Sequence, residues 1–251
     1  MGGDDRTAKL LCVSARLLAF DTSTEALSVA LHCDAGTWVW NGPGGAAASA
    51  QLLPQIRKLL QQAGVELAQL QAIAFGNGPG AFTGLRTACA VAQGLALGAA
   101  LPVLPVDSLL VVAEGVRAEH RDASADIDVV MDARMGEVYA GRYLWAGGRW
   151  QCHGTPALRT LNDLHALWAL QPPRCVAGSA VQAFGERLHS GAALCVAGDI
   201  DRAAALMRVA QQLWRERGGI DAAQALPLYL RDKVAMTVAE REALRQTGAA
   251  P

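Results

Sequence analysis

The chain has 251 residues, 52% of them apolar and 18% charged, with a formal net charge of −1. That length suits one large domain or two of ordinary size, and so apolar a composition fills a core, which excludes a disordered chain. The balanced charge leaves no global basic footprint for autonomous nucleic-acid binding, and Gln93, Pro102, Pro105 and Asp107 break the longest apolar stretches before any could span a bilayer.

Residues 1–15 carry Asp4 and Asp5, lack a signal-peptide layout, and read as a flexible extension. Arg16 to Phe20 reads as a strand ending at Asp21. After Asp21-Thr22-Ser23-Thr24, the alternation of Leu27, Val29 and Leu31 marks a second strand, and Thr37 to Trp40 a third. A Gly-rich loop follows. Ser49 is placed to cap a helix whose apolar face is Leu52, Leu53, Ile56, Leu59, Leu60 and Ala63, ended by Gly64. Ala72 to Phe75 is a short buried strand leading into Gly76-Asn77-Gly78-Pro79-Gly80-Ala81-Phe82-Thr83-Gly84-Leu85-Arg86. This glycine-rich turn opens onto a helix from Thr83 to about Ala99. It can act as structural punctuation or offer backbone N–H groups to an anion, but its spacing is neither a P-loop nor a dinucleotide fingerprint. On the helix, Gly84, Ala88 and Ala92 lie four apart, and so do Ala90, Gly94 and Gly98, leaving two faces nearly bare of side chains. Such a face serves close packing on the chain's own sheet or docking of a helix from a second protein. A strand near Val103 to Val106 closes the first half.

The second half repeats the order. Ile127 to Met131 is a strand ending at Asp132, and the turn Ala133 to Gly136 leads to a partner strand from Glu137 to Tyr143. A third strand covers Trp150 to Cys152. Thr160, with Asp163 three residues on, starts a helix through Leu170; a strand at 174–177 and a helix from Val181 to His189 follow, and Asp201 caps a last long helix. Weak internal similarity of this kind implies duplication of one α/β unit. The chain then divides into a first lobe at 16–108, a second at 109–220, and a C-terminal segment from 221 that could return to either. Two such βββαβα lobes facing each other across a cleft resemble the actin, Hsp70 and sugar-kinase superfamily, an RNase H-like fold. There, paired aspartate turns handle a nucleotide and its metal, which would place Asp21 and Asp132 at those turns. Each is also explained as an aspartate that satisfies turn amides.

Taken in order, Leu18 to Thr24, Gln51 to Pro54, Gly76 to Arg86, Met131 to Tyr139 and Pro227 to Arg231 resemble the TsaB (YeaZ) family across about 210 residues. The resemblance implies a cytoplasmic, non-catalytic scaffold in tRNA threonylcarbamoyladenosine synthesis. It would pair through its first lobe with TsaD, be joined by the ATPase TsaE, meet tRNA through the complex, and form a homodimer in isolation. The partner surface would draw on Leu53, Ile56, Leu60, Phe82, Gly84, Leu85, Ala88, Val91, Ala92 and Leu95. The cleft residues for a nucleotide or other anion would be Asp21, Thr22, Ser23, Thr24, Gly78, Gly80, Arg86 and Asp132, with no intrinsic cofactor and ATP or ADP with magnesium entering only in the complex. Ser49 and Ala81 depart from the family pattern, so polar roles at those two positions do not carry over.

No two histidines among 32, 120, 153, 165 and 189 have the spacing of a metal-binding helix pair, and six scattered cysteines form neither a zinc pattern nor a disulfide framework. No Gly-x-Ser-x-Gly nucleophile signature occurs. The alternative reading is an ATP-dependent phosphotransferase of the same superfamily, working in the interlobe cleft with Asp21 on magnesium or as base. Against it, the first turn lacks the glycine that lets phosphate approach the backbone. Arg86, Arg134 and Arg231 suit anion contacts, and they suit fastening of turns equally well.

Overall fold

In β1 (Leu17–Asp21) every residue is buried, and alternate side chains serve opposite faces of a sheet. The computed structural model describes residues 15–120, 125–197 and 200–231, so the expected extension lies outside the described residues up to Ser14, as does the C-terminal segment after Arg231. The first half continues as β2 (Ala26–Cys33), β3 (Gly36–Pro43), α1 (Ala48–Ala63), β4 (Ala72–Gly78), α2 (Phe82–Ala99), β5 (Val103–Asp107) and α3 (Ser108–His120). The second comprises β6 (Ala125–Asp132), β7 (Glu137–Ala146), β8 (Arg149–Cys152), β9 (Ala157–Thr160), α4 (Leu161–Leu170), β10 (Cys175–Ala177), α5 (Ser179–Phe184), β11 (Leu194–Val196) and α6 (Arg202–Arg217).

The duplication is visible in the strand orders. The first sheet runs β3-β2-β1-β4-β5, with the hairpins antiparallel and β4 and β5 added parallel. The second runs β8-β7-β6-β10-β11 with the same alternation of directions, and β9 also pairs with β7. This is the two-lobed α/β architecture of the actin, Hsp70 and sugar-kinase type.

The two faces of the first sheet differ in side-chain size. Leu18, Phe20, Leu27, Val29, Leu31, Ile73 and Phe75 point toward α1 and α2. The other face is built largely of Ala19, Ala30, Ala72 and Ala74 and receives Ala203, Ala205, Leu206 and Ala210 of α6. Small residues on both sides let the helix approach the sheet closely. Chain order puts α6 in the second lobe; its packing places it on the first. α3 lies beside it, with Val111 facing the α6 cluster and Leu109, Val112, Ala113 and Val116 facing Ile127, Val129 and Tyr143 of the second sheet. Together α3 and α6 form the layer between the sheets, while α4 and α5 cover the outer face of the second sheet through Leu164, Trp168 and Ala180.

The C-terminal segment returns to the first lobe before reaching the second. Ile220 bridges to Val103 on β5. The Ala225 carbonyl accepts bonds from Cys89 Sγ (3.4 Å) and Gln93 Nε2 (3.1 Å) on α2, and Leu228 N–H bonds to the Asn77 carbonyl at 2.6 Å. Arg231 then donates to the Ala133 carbonyl (3.0 Å) and pairs with Glu137 at 2.7 Å in the second lobe.

One buried carboxylate ties the middle layer together. Glu114 of α3, 3% exposed, accepts from Arg117 Nε (2.9 Å), from Arg208 Nε of α6 (2.7 Å) and from Trp150 Nε1 of β8 (3.0 Å). Burial pushes its pKa up, but these donors outweigh burial and hold the carboxyl below its ordinary value of 4.5. Replacing Glu114 by Ala removes the acceptor from two arginines and an indole, and should cost about 3 kcal/mol in urea denaturation at pH 7. Because the folded pKa lies below the unfolded one, the contribution is present above the unfolded pKa and lost as pH falls through the folded one. The gap between wild type and Glu114→Gln should therefore narrow as pH drops below 4.5.

Candidate functional site

Between the lobes lies a cleft of about 630 Å³. Its floor comes from the turn after β1 and the glycine-rich turn before α2, and its far wall from the Met131 to Met135 turn and Ser179 at the start of α5. Leu228 to Arg231 close one side. Of the residues expected at an anion site, Ser23, Thr24, Gly80 and Asp132 line this cleft. The others hold the turns beneath it.

Asp21 is 2% exposed and fully engaged. Its Oδ1 accepts from Ser23 N–H at 2.7 Å, and its Oδ2 accepts from Arg202 Nη2 at 3.0 Å. Gly76 presses on the same carboxylate so closely that a Cβ there would collide with it. The geometry therefore does not fit a magnesium ion, which keeps several waters and demands near-octahedral oxygen ligands. Asp21 is thus held in a buried ion pair with the first residue of α6, which speaks against the alternative reading's use of it on magnesium or as base. That helix start is itself stitched to the first sheet. Asn41 accepts from Ala203 N–H at 3.0 Å and donates to Asp201 at 2.8 Å, while Asp201 caps Ala204 N–H at 3.1 Å. Ser23 Oγ and Arg202 Nε are buried without a hydrogen-bond partner.

Thr22 Oγ1 donates to the Gly84 carbonyl at 2.6 Å, and a Cβ on Gly84 would strike the Thr22 carbonyl oxygen. Glycine is required there because the β1–β2 turn rests on the first turn of α2. Gly80 is pinned likewise, with Ala81 N–H bonded to the Ser23 carbonyl at 2.8 Å, and a Cβ on Gly78 would lie 2.8 Å from the Leu228 carbonyl oxygen. Thr24 bonds to its neighbour Ala26. Asp132 accepts from Arg134 N–H at 2.8 Å, the turn residue that pairs across the cleft with Glu25 at 3.3 Å. Arg86 lies over the Phe82 ring at 3.9 Å and donates to Tyr229 Oη at 3.1 Å. Arg86, Arg134 and Arg231 thus fasten turns and the C-terminal segment.

The helix faces separate by packing. Ile56, Leu85, Ala88 and Ala92, expected at a partner surface, are buried in the first lobe's own structure, three of them in the α1–α2 core cluster, and cannot be offered outward. Leu60, Gly84, Val91 and Leu95 are half-buried, and Phe82 stacks on Tyr229 with ring centroids 4.9 Å apart. Outward lie Ala90, Gly94 and Gly98, with Leu97 66% and Leu53 50% exposed. A Cβ on Gly94 or Gly98 would meet nothing within 4 Å. Arg202, Tyr229 and Glu25 were not anticipated as parts of the site. The Tyr229 neighbourhood had a signal, the Pro227–Arg231 motif, but Arg202 had none, being 181 residues from its partner.

Arg202→Met should leave the Asp21 charge buried and unpaired, costing about 3 kcal/mol. Asp21→Asn combined with Arg202→Met should cost less than the sum of the two single changes by about 1 kcal/mol or more, read in a denaturation cycle.

Residues 45–177 match the family model described as TsaD: tRNA N6-adenosine threonylcarbamoyltransferase. The tRNA threonylcarbamoyladenosine biosynthesis protein TsaB of Escherichia coli (strain K12) is 33% identical over 224 residues, covering 88% of this chain and 96% of that one. The protein of the same name from Haemophilus influenzae is 32% identical over 238 residues, covering 87% and 94%. The solved structure of YeaZ from Pseudomonas aeruginosa superposes with a TM-score of 0.76 at 36% identity, over 86% of this chain and all of that one. With sequence and architecture in accord over most of its length, the chain belongs to the TsaB (YeaZ) family of tRNA threonylcarbamoyladenosine biosynthesis proteins.

Proposed function

We propose that this chain acts as a scaffold without turnover of its own. It pairs with TsaD, and the ATPase TsaE joins the pair. The complex transfers threonylcarbamoyl to the adenosine beside the anticodon of tRNAs that read codons starting with A. The observation that carries the reading is the open face of α2. Ala90, Gly94 and Gly98 form a strip on which a second helix backbone can lie closely, flanked by the exposed Leu97. Interior glycine costs a helix roughly 1 kcal/mol relative to alanine, and neither glycine is needed by the chain's own packing. In the absence of TsaD the same strip serves a homodimer. ATP or ADP with magnesium enters with the assembled complex; the Asp21–Arg202 pair supports that division, because this cleft already spends its buried carboxylate on an internal cation.

Gly94→Arg tests the reading cleanly, since the substitution improves helix propensity and has open space to occupy. Mass spectrometry of digested tRNA from cells lacking the protein should show loss of threonylcarbamoyladenosine, restored by wild type and not by Gly94→Arg. Purified Gly94→Arg should melt no lower than wild type. Full restoration by Gly94→Arg would remove the α2 strip from the interface. Unchanged tRNA in the deletion would remove the scaffold role itself.

A further inference from the structure

Beyond the cleft, the second lobe carries a separate open pocket of about 370 Å³, lined by Gly136, Thr160, Asn162, His165, Arg187 and His189 together with Leu161. Two features set it apart. Arg187, unlike Arg134, Arg202 and Arg231 of the cleft, forms no ion pair among the described residues; its guanidinium lies 5.5 Å from the Phe184 ring centre. His165, stacked on His189 with ring centroids 4.6 Å apart, has a ring nitrogen, Nε2, that is buried without a hydrogen-bond partner. Asp163, in the same turn of α4 as Asn162, is folded back onto Thr160 Oγ1 at 2.7 Å in a capping box. Its charge is thereby directed at the helix cap.

We propose that this pocket binds a phosphate ester. The guanidinium supplies a fork of donors, the two imidazoles supply ring N–H groups, and the Leu161 and Asn162 N–H groups at the start of α4, which the capping box leaves open, supply the helix terminus. Donors from two elements, α4 and the 3₁₀ turn that carries Arg187 and His189, match the several oxygens of a tetrahedral phosphoryl group better than a planar carboxylate. Gly136, Asn162, Arg187 and His189 are exposed, so the phosphate can be carried on a large molecule. An RNA phosphodiester is the source that fits a tRNA-modification subunit. That choice of source rests on the scaffold reading above; the phosphate chemistry does not.

The test uses inorganic phosphate added to the whole chain at fixed pH and ionic strength, followed by NMR of the histidine ring protons. Saturable shifts at His165 and His189, absent at His32, are expected. Arg187→Ala should weaken the response by about tenfold or more, and Arg187→Lys should recover part of it. An equal response to chloride, or one indifferent to Arg187→Ala, overturns the site. Binding of unmodified tRNA to the chain should also weaken in Arg187→Ala. A phosphate response with tRNA binding absent or unchanged keeps the site but overturns RNA as its source. Failure of the phosphate arm while deletion still abolishes threonylcarbamoyladenosine sinks this inference and leaves the scaffold role standing.

Discussion

Everything between the two sheets hangs on the pairing of α3 with α6, and that pairing turns on the Glu114 carboxylate. Two guanidiniums and one indole converge on it from three elements. At the start of α3 a second acid, the half-buried Asp107, accepts the Tyr143 hydroxyl at 2.6 Å and caps Leu109 N–H at 2.8 Å. Burial pushes the Asp107 carboxyl up, and it raises the Tyr143 phenol too. The lobes are thus joined by a few buried polar contacts embedded in an apolar layer, where a missing partner is costly and a satisfied network specifies one arrangement.

The same economy of charge explains what the cleft can do. In a phosphotransferase the aspartate after the first strand must stay available to a metal or a substrate proton. Here it is closed in by Gly76, Ser23 and Arg202. The aspartate of the second lobe organises its own turn through Arg134. The duplicated fold keeps both turns, and each now serves as a fixed joint between elements.

Much of the fold could be read from local pattern. The alternation of Leu27, Val29 and Leu31, the Thr160–Asp163 capping box, the Asp201 cap and the left-handed Gly64 at the end of α1 each depend on a few neighbouring residues. Ser49, by contrast, lies inside α1, and α5 stops at Phe184 before a short 3₁₀ turn rather than running to His189. α3 escaped because it is buried on several sides, so its apolar residues show no single face. At the cleft, the motif positions mark the turns that line it but not the partners of those turns. Spacing alone marks Gly84-Ala88-Ala92 and Ala90-Gly94-Gly98 as equivalent stripes; only the Thr22 carbonyl and the sheet decide which one turns inward.

The return of α6 and of the segment from Ile220 to Leu228 to the first lobe bears on biosynthesis. The inner face of the first sheet is covered by α6, and the edge of β5 is paired by Ile220, so the strands of the first lobe await segments made after the second sheet. Contacts of such long sequence separation form late and slowly. While the ribosome is still making the second lobe, the alanine-lined face and the β5 edge stand bare, and an emerging chain must be kept from pairing with others there. The second sheet, its outer helices and α3 all lie earlier in the chain than α6. The lobe made second can therefore close first, and it then presents α3 as the surface on which α6, and with it the first lobe, is completed.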